Sequence, residues 1–321
     1  MAKRLSKTKE KTIYLLTENS RIQYSQIGKK IRKSPQYARN LALTLEPLIN
    51  PVTLIDYSRL SLLLFRVYFR GGFAKESELE NLMKQISNIP LVTTIRQLSG
   101  PYDLQVDFIT PNPSRFNKEI KELITDKKEL TNYDVSVNVV SHIFPRKYLV
   151  SNQNFDSIII GGDRIEEVID KSQKAVLKEL IKNPSASITD IAKKTTLNVR
   201  TILSIMKRLK EMKIIRGYKA EYNIYSNEGI RNRITLKLHN LNTLREKELV
   251  RHCLYQPNIV AINKTIGPWD IEIDVETKNT QEFRKVYLEI REKFIDIIQT
   301  FNYFTVLDVY QKSYIPKSYF E

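Results

Sequence analysis

A single cysteine, Cys253, in a chain of 321 residues excludes an intramolecular disulfide and a thiolate metal cluster. Three scattered histidines, His142, His239 and His252, do not rebuild a zinc site, so neither metal nor cofactor is expected. Only 9 Gly and 12 Pro leave little room for long disordered stretches. No apolar run reaches the roughly 18 to 20 residues that span a bilayer, and the longest, "LSLLLFRVYF" at 60–69, is interrupted by Arg66. The basic N-terminus leads into no apolar segment, so no signal peptide is read, and a cytoplasmic protein without a membrane partner is expected. There is also no Ser-His-Asp order, Cys-His pair or phosphate-cradling glycine loop, so no enzyme is expected.

Basic charge is abundant, with a net charge of +16, and unevenly placed. Residues 1–46 hold 11 Lys/Arg against 3 Asp/Glu, and residues 171–219 hold 13 against 3, which leaves the rest of the chain close to neutral. Two separate polyanion-binding segments follow from that partition.

The second conspicuous feature is a repeated phrase, "GPYDLQVDF" at 100–108 and "GPWDIEIDV" at 267–275. Gly-Pro marks a tight turn, and the alternation after it (Leu104, Val106, Phe108; Ile271, Ile273, Val275) is that of a strand with one dry face. The basic segments repeat as well. In 172–222, Val176, Leu177, Leu180 and Ile181 make a first helix. Thr189 is placed to cap a second carrying Ile191 and Ala192 inward. Asn198 is placed to cap a third, with Ile202, Ile205, Met206 and Leu209 as its apolar stripe. Three helices with a basic face on the last make a helix-turn-helix unit. The first segment follows the same plan, with Ser34-Pro35 opening its third helix, but Leu43-Thr44 stand where the second copy has Lys207-Arg208.

Downstream of each unit the pattern predicts strand, helix, strand, turn, strand, helix, strand, near 61–142 and 233–312. The fold class expected is α+β: two winged helix-turn-helix units, each followed by a ferredoxin-like βαββαβ domain. The division is 1–56 (a degenerate helix-turn-helix domain), 57–147 (sheet domain), 148–170 (linker with a flexible joint at Gly161-Gly162), 171–222 (second helix-turn-helix) and 223–321 (second sheet domain).

The stretches "ITDIAKK" (188–194), "RTILSIMKRLKEMKIIRGY" (200–218) and "GPWD" (267–270), echoed by "GPYD" (100–103), resemble the leucine-responsive regulatory protein/AsnC family of transcription regulators. A family member has one such unit, so the resemblance covers the chain twice, as a tandem. Ser204 and Lys213 depart from the family pattern, which usually has a basic residue and a glycine there. The resemblance implies a sequence-specific regulator of double-stranded DNA, with sheets that pair and bind small effectors such as amino acids beside the Gly-x-x-Asp turn. The two halves are expected to pair within the chain as a pseudo-dimer, with further homo-oligomers open. At the third helices Asn198, Arg200, Thr201 and Ser204, with Gln36, Tyr37, Arg39 and Asn40, are candidates for base edges. Lys193, Lys194, Lys207 and Arg208, with Lys29, Lys30 and Lys33, are candidates for phosphates. Gly100, Asp103, Gly267, Trp269 and Asp270 are the effector candidates, weighed against Gly and Pro that simply make the turn.

Two other readings stay open. The architecture is similar to that of the siroheme decarboxylases, whose chemistry is expected to use His and Arg near the start of the sheet domain; residues 217–238 have Arg231 and Arg233 but no His. A low-specificity architectural DNA-binding protein is the other.

Overall fold

The computed structural model describes residues 5–71, 75–150, 156–227, 229–239 and 243–321. The first run of elements is α1 (Lys7–Glu18), α2 (Tyr24–Ile31), α3 (Pro35–Leu45), β1 (Ile49–Ile55), β2 (Leu63–Phe69), α4 (Glu76–Ile86), β3 (Val92–Ser99), β4 (Leu104–Thr110), α5 (Pro113–Asp126) and β5 (Tyr133–Ile143). After a short strand, β6 (Ile158–Gly161), the second run is α6 (Lys171–Lys182), α7 (Ile188–Thr195), α8 (Val199–Glu211), β7 (Ile215–Tyr222), β8 (Ile230–Leu238), α9 (Thr243–Tyr255), β9 (Ile259–Ile266), β10 (Ile271–Thr277), α10 (Thr280–Lys293) and β11 (Ile298–Lys312).

Local chemistry sets the helix starts. Ser34 accepts a hydrogen bond from the Tyr37 N–H at 3.2 Å with Pro35 at the first helical position of α3. Asn198 accepts from the Thr201 N–H at 2.8 Å to open α8. Asp170 and Gln173 form a reciprocal capping box on α6. Ser187 caps α7 in place of the expected Thr189, because its oxygen, three residues before Asp190, lies within reach of that N–H.

Each βαββαβ run builds a four-stranded antiparallel sheet, ordered β5-β2-β4-β3 and β11-β8-β10-β9. Helices α4 and α5 cover one face of the first over Phe65, Val67, Ile95, Val106 and Phe108. Helices α9 and α10 cover the second over Ile234, Leu236, Ile262, Ile273 and Val275. The sheets then join at both edges. β3 pairs with β11 (Arg96↔Val309) and β5 with β9 (Asn138↔Thr265), both antiparallel, so eight strands close into a barrel with the helices outside.

Closure corrects two expectations. The polar side of the repeated strand faces the barrel interior and not solvent: Gln105 and Glu272 are fully buried, as is Glu276, and Asp107 nearly so. The linker is also partly sheet, since β6 adds to the outer part of β5 (Ser141↔Ile160) and the Gly161 N–H donates to Asp56 Oδ1 at 3.0 Å. Gly161 is therefore held, and residues 151–155 of that segment lie outside the described residues.

Candidate nucleic-acid interface and the barrel beneath it

The two helix-turn-helix units share a ribbon. β1 pairs antiparallel with β7 (Val52↔Lys219, Thr53↔Tyr218), and each strand packs into the other unit. Ala220 and Tyr222 of β7 join the core of Ile13, Ile27, Ala38, Leu41 and Leu45. Leu54 and Ile55 of β1 join the core of Leu177, Leu180, Ile191, Ile202 and Leu209. Polar contacts bind the units further. Arg21 donates to the Pro184 and Ala186 carbonyls at 2.7 and 2.8 Å, Thr53 to the Leu180 carbonyl at 2.7 Å, and Lys219 pairs with Glu18 at 2.7 Å. The relative placement of α3 and α8 is thus fixed by buried backbone pairing and not by a tether.

Burial of the apolar stripes leaves the candidate residues on the outer faces. On α8, Asn198, Arg200, Ser204, Lys207 and Arg208 are exposed and Thr201 is half-buried. On α3, Gln36, Tyr37, Arg39 and Asn40 are exposed, with Lys29, Lys30 and Lys33 on and after α2. Several are partly engaged already. Asn198 accepts the Thr201 N–H at its carbonyl oxygen, which leaves its amide N–H groups and the oxygen's second lone pair for a base. Gln36 donates to Asn40 Oδ1 at 3.2 Å, and the Lys33 ammonium lies 5.8 Å from the Tyr37 ring centre. Lys194 pairs with Glu179 at 3.3 Å and Lys207 with Glu211 at 3.8 Å. In the first turn of α7, the Ser187 hydroxyl donates to Asp190 and lowers its carboxyl pKa. Leu203, 53% exposed on α8, was not among the sequence candidates. Its position outside the apolar stripe was the available signal.

The five effector candidates meet where the halves join, but their polar atoms close the turns. Asp103 Oδ2 accepts from the Gly71 N–H at 2.9 Å; Asp270 accepts from the Leu238 N–H at 2.8 Å and pairs with Lys237 at 2.9 Å. Trp269 is buried against Tyr68, Tyr102 and Phe304, its indole N–H donating to Glu272 at 3.0 Å. A Cβ on Gly267 would sit 2.6 Å from the Val135 carbonyl oxygen, and one on Gly100 would sit 3.3 Å from Phe304 Cβ. Each glycine lets its turn approach the other half's strand.

Inside the barrel, two equivalent cross-strand ion pairs face each other. Arg66 reaches Asp107 at 3.0 Å, and Arg233 reaches Asp274 at 2.6 Å. Glu272 takes Arg66 and Tyr68 on one side and Arg233 on the other. Toward the ribbon, Glu276 holds Arg146 and Arg231, and Glu221 holds Lys312. Burial raises the carboxyl pKa of Asp274, but Arg233 together with Arg96 and Arg66 outweighs it and the net shift is downward. At Glu276, Arg146 and Arg231 outweigh burial in the same way. A cavity of about 100 Å³ remains at this end, walled by the barrel and by Glu18, Lys219 and Glu221 of the helix-turn-helix layer. None of the five turn residues lines it. Among the described residues no cluster of His, Cys, Asp and Glu could hold a metal ion, and no helix is long and apolar enough to cross a membrane.

Residues 169–216 match the family described as winged helix-turn-helix DNA-binding. An uncharacterized HTH-type transcriptional regulator of Pyrococcus furiosus is 27% identical over 135 residues, 42% of this chain and 90% of the relative. The HTH-type transcriptional regulator FL11 of the same organism is 27% identical over 116 residues, 36% of this chain and 75% of the relative. Among solved structures, the siroheme decarboxylase NirDL superimposes over 98% of this chain and 97% of its own with a TM-score of 0.60 at 12% identity, a likeness of fold. The same enzyme with an iron-uroporphyrin III analogue matches at 0.60 and 11% identity over 96% of this chain and 94% of its own. The helix-turn-helix match and the similarity to these regulators agree with the motifs read at 171–222, and that part of the chain is a winged helix-turn-helix domain of the DNA-binding kind.

Proposed function

We propose that this protein is a sequence-reading transcription regulator that works as a single-chain pseudo-dimer. Two DNA-reading heads (1–56 and 171–222) ride on two paired sheet domains (57–147 and 223–321), with 148–170 between them. The observation that supports this most is the shared β1–β7 ribbon, which holds two exposed third helices, the cationic α8 and α3 with its Arg39, in one fixed relation. A dimeric helix-turn-helix protein needs that fixed spacing to meet successive groove faces. Arg200 and Arg39 are assigned to base edges, where an arginine forks onto guanine, and Leu203 to the methyl group of thymine. Lys193, Lys207 and Arg208, with Lys29 and Lys30, are assigned to phosphates.

The enzyme reading finds little support in the barrel. A cavity of about 100 Å³ is smaller than the roughly 300–1,000 Å³ of pockets for drug-sized ligands, and an iron-uroporphyrin is larger than most of those. Arg231 and Arg233 are already engaged by Glu276 and Asp274. We therefore read the likeness to NirDL as shared architecture without shared chemistry.

The test is a titration of the purified chain against DNA from its own upstream region and a scrambled duplex, at two salt concentrations. Arg200→Ala is expected to weaken binding to the specific duplex by about 1–3 kcal/mol while binding to the scrambled one changes far less. Equal affinity for both duplexes, with a steep salt dependence, would establish the architectural reading instead.

A further inference from the structure

Among the charged side chains that wall the barrel cavity, Arg96 stands apart. Arg66, Arg146, Arg231 and Arg233 each reach a carboxylate within hydrogen-bond distance, and Lys219 and Lys312 do the same. Arg96 is only 6% exposed, and among the described residues its Nε and Nη1 have no hydrogen-bond partner. It projects from β3 between Gln105 of β4 and Val309 of β11, in the register where the two halves are stitched together. Burial and the neighbouring Arg233 both disfavour its charge, and Asp107 and Asp274 offset this only in part. A guanidinium does not escape the conflict by losing its proton at physiological pH. Buried donors of this kind in a native fold call for a partner. The lining of the cavity also carries an excess of cations over carboxylates.

We infer that the cavity binds a small oxyanion, with Arg96 as the residue that grips it. The chemistry wanted is an acceptor-only group with two or more oxygens, which an inorganic phosphate or sulfate and a short carboxylic acid share. The cavity, about 100 Å³, has room for an ion of this size. The site is distinct from the Gly-Pro turns, and its existence does not depend on the DNA-binding reading. Its position does give it reach: Glu18 of α1, Leu54 of β1 and Lys219 of β7 share its walls, so an ion held there touches both the barrel and the ribbon that carries the third helices.

The experiment follows thermal unfolding of the full chain in phosphate, in acetate and in chloride, at matched pH and ionic strength, with isothermal titration of phosphate and of acetate. Saturating phosphate or acetate is expected to raise Tm by at least about 2 °C above the chloride value. Phosphate acting alone assigns an inorganic oxyanion, and acetate acting alone a carboxylate. Arg96→Leu should abolish the anion-specific shift while leaving the Tm in chloride unchanged or higher, since it removes a buried charge without a partner. Arg96→Gln serves as the second variant should the leucine fail to fold. Tm values that track chloride in every anion, or an unchanged anion shift in the Arg96 variants, would overturn the assignment.

Discussion

Lys213 holds a left-handed backbone, φ 57°, one residue past the Met212 cap of α8. A Cβ makes that conformation costly, which is why a glycine is the common residue there. The sequence flagged this position, because a lysine stands where the family pattern has Gly. Lys213→Gly is accordingly expected to stabilise the chain by about 0.5–1 kcal/mol, measured by urea unfolding. A neutral or destabilising result would mean that the lysine side chain contributes more than the strain costs. The candidate DNA contacts were legible at the same scale, since burial of one stripe dictates which residues remain outside. Caps such as Asn198 were legible too, but the sequence did not reveal that capping would orient the amide that a bidentate contact to adenine uses.

At the scale of elements, the turn phrase has a structural use. Gly267 (φ 157°) and Gly100 (φ 126°) have main-chain conformations that favour glycine and lie against the opposite half, Gly267 at Val135 and Gly100 at Phe304. Gly267→Ala meets a carbonyl at 2.6 Å, whereas Gly100→Ala meets a side-chain carbon at 3.3 Å. The first is expected to lose about 2–4 kcal/mol and the second about 1–3, by equilibrium denaturation. Equal, small losses would show that the seam relaxes around an added methyl. The strands and helices themselves were readable from their periods of two and 3.6, with boundaries within a few residues. The destination of the polar face was not. Alternation at Leu104, Gln105, Val106 and Asp107 says that the faces differ, and a charged face looks the same in sequence whether it meets water or a second charged sheet. Only the edge pairing of β3 with β11 and β5 with β9 decides that. The ribbon was hidden for a related reason, because β1 and β7 exchange partners across more than 160 positions of chain.

For the whole molecule, the consequence is a barrel interior lined by charge, set between apolar cores that lie outside it. The barrel encloses Asp107, Asp274 and Glu276, with Glu221 at its end, each beside at least one guanidinium or ammonium. Burial alone would raise all four carboxyl pKa values. The neighbouring cations reverse the sign, so each stays below the ordinary carboxylate range, Glu221 well below it beside Lys312 and Arg231. A carboxylate with a folded pKa below its unfolded value of about 4 contributes stability that is complete above that value and is lost as pH falls through and below it. The unfolding free energy is thus expected to be level between about pH 5 and 7 and to drop below about pH 4.5, with a slope of up to about 1.4 kcal/mol per pH unit for each coupled group. Asp274→Asn separates this from general acid sensitivity. It leaves Arg233 with Glu272 as its remaining carboxylate, costs about 3–5 kcal/mol at pH 7, and makes the acid limb shallower because one of the titrating groups is gone. An acid limb of unchanged slope in that variant would place the acid-labile charges outside the barrel, and the seam between the halves would then owe its strength to the aromatic cluster around Trp269 and to strand pairing alone.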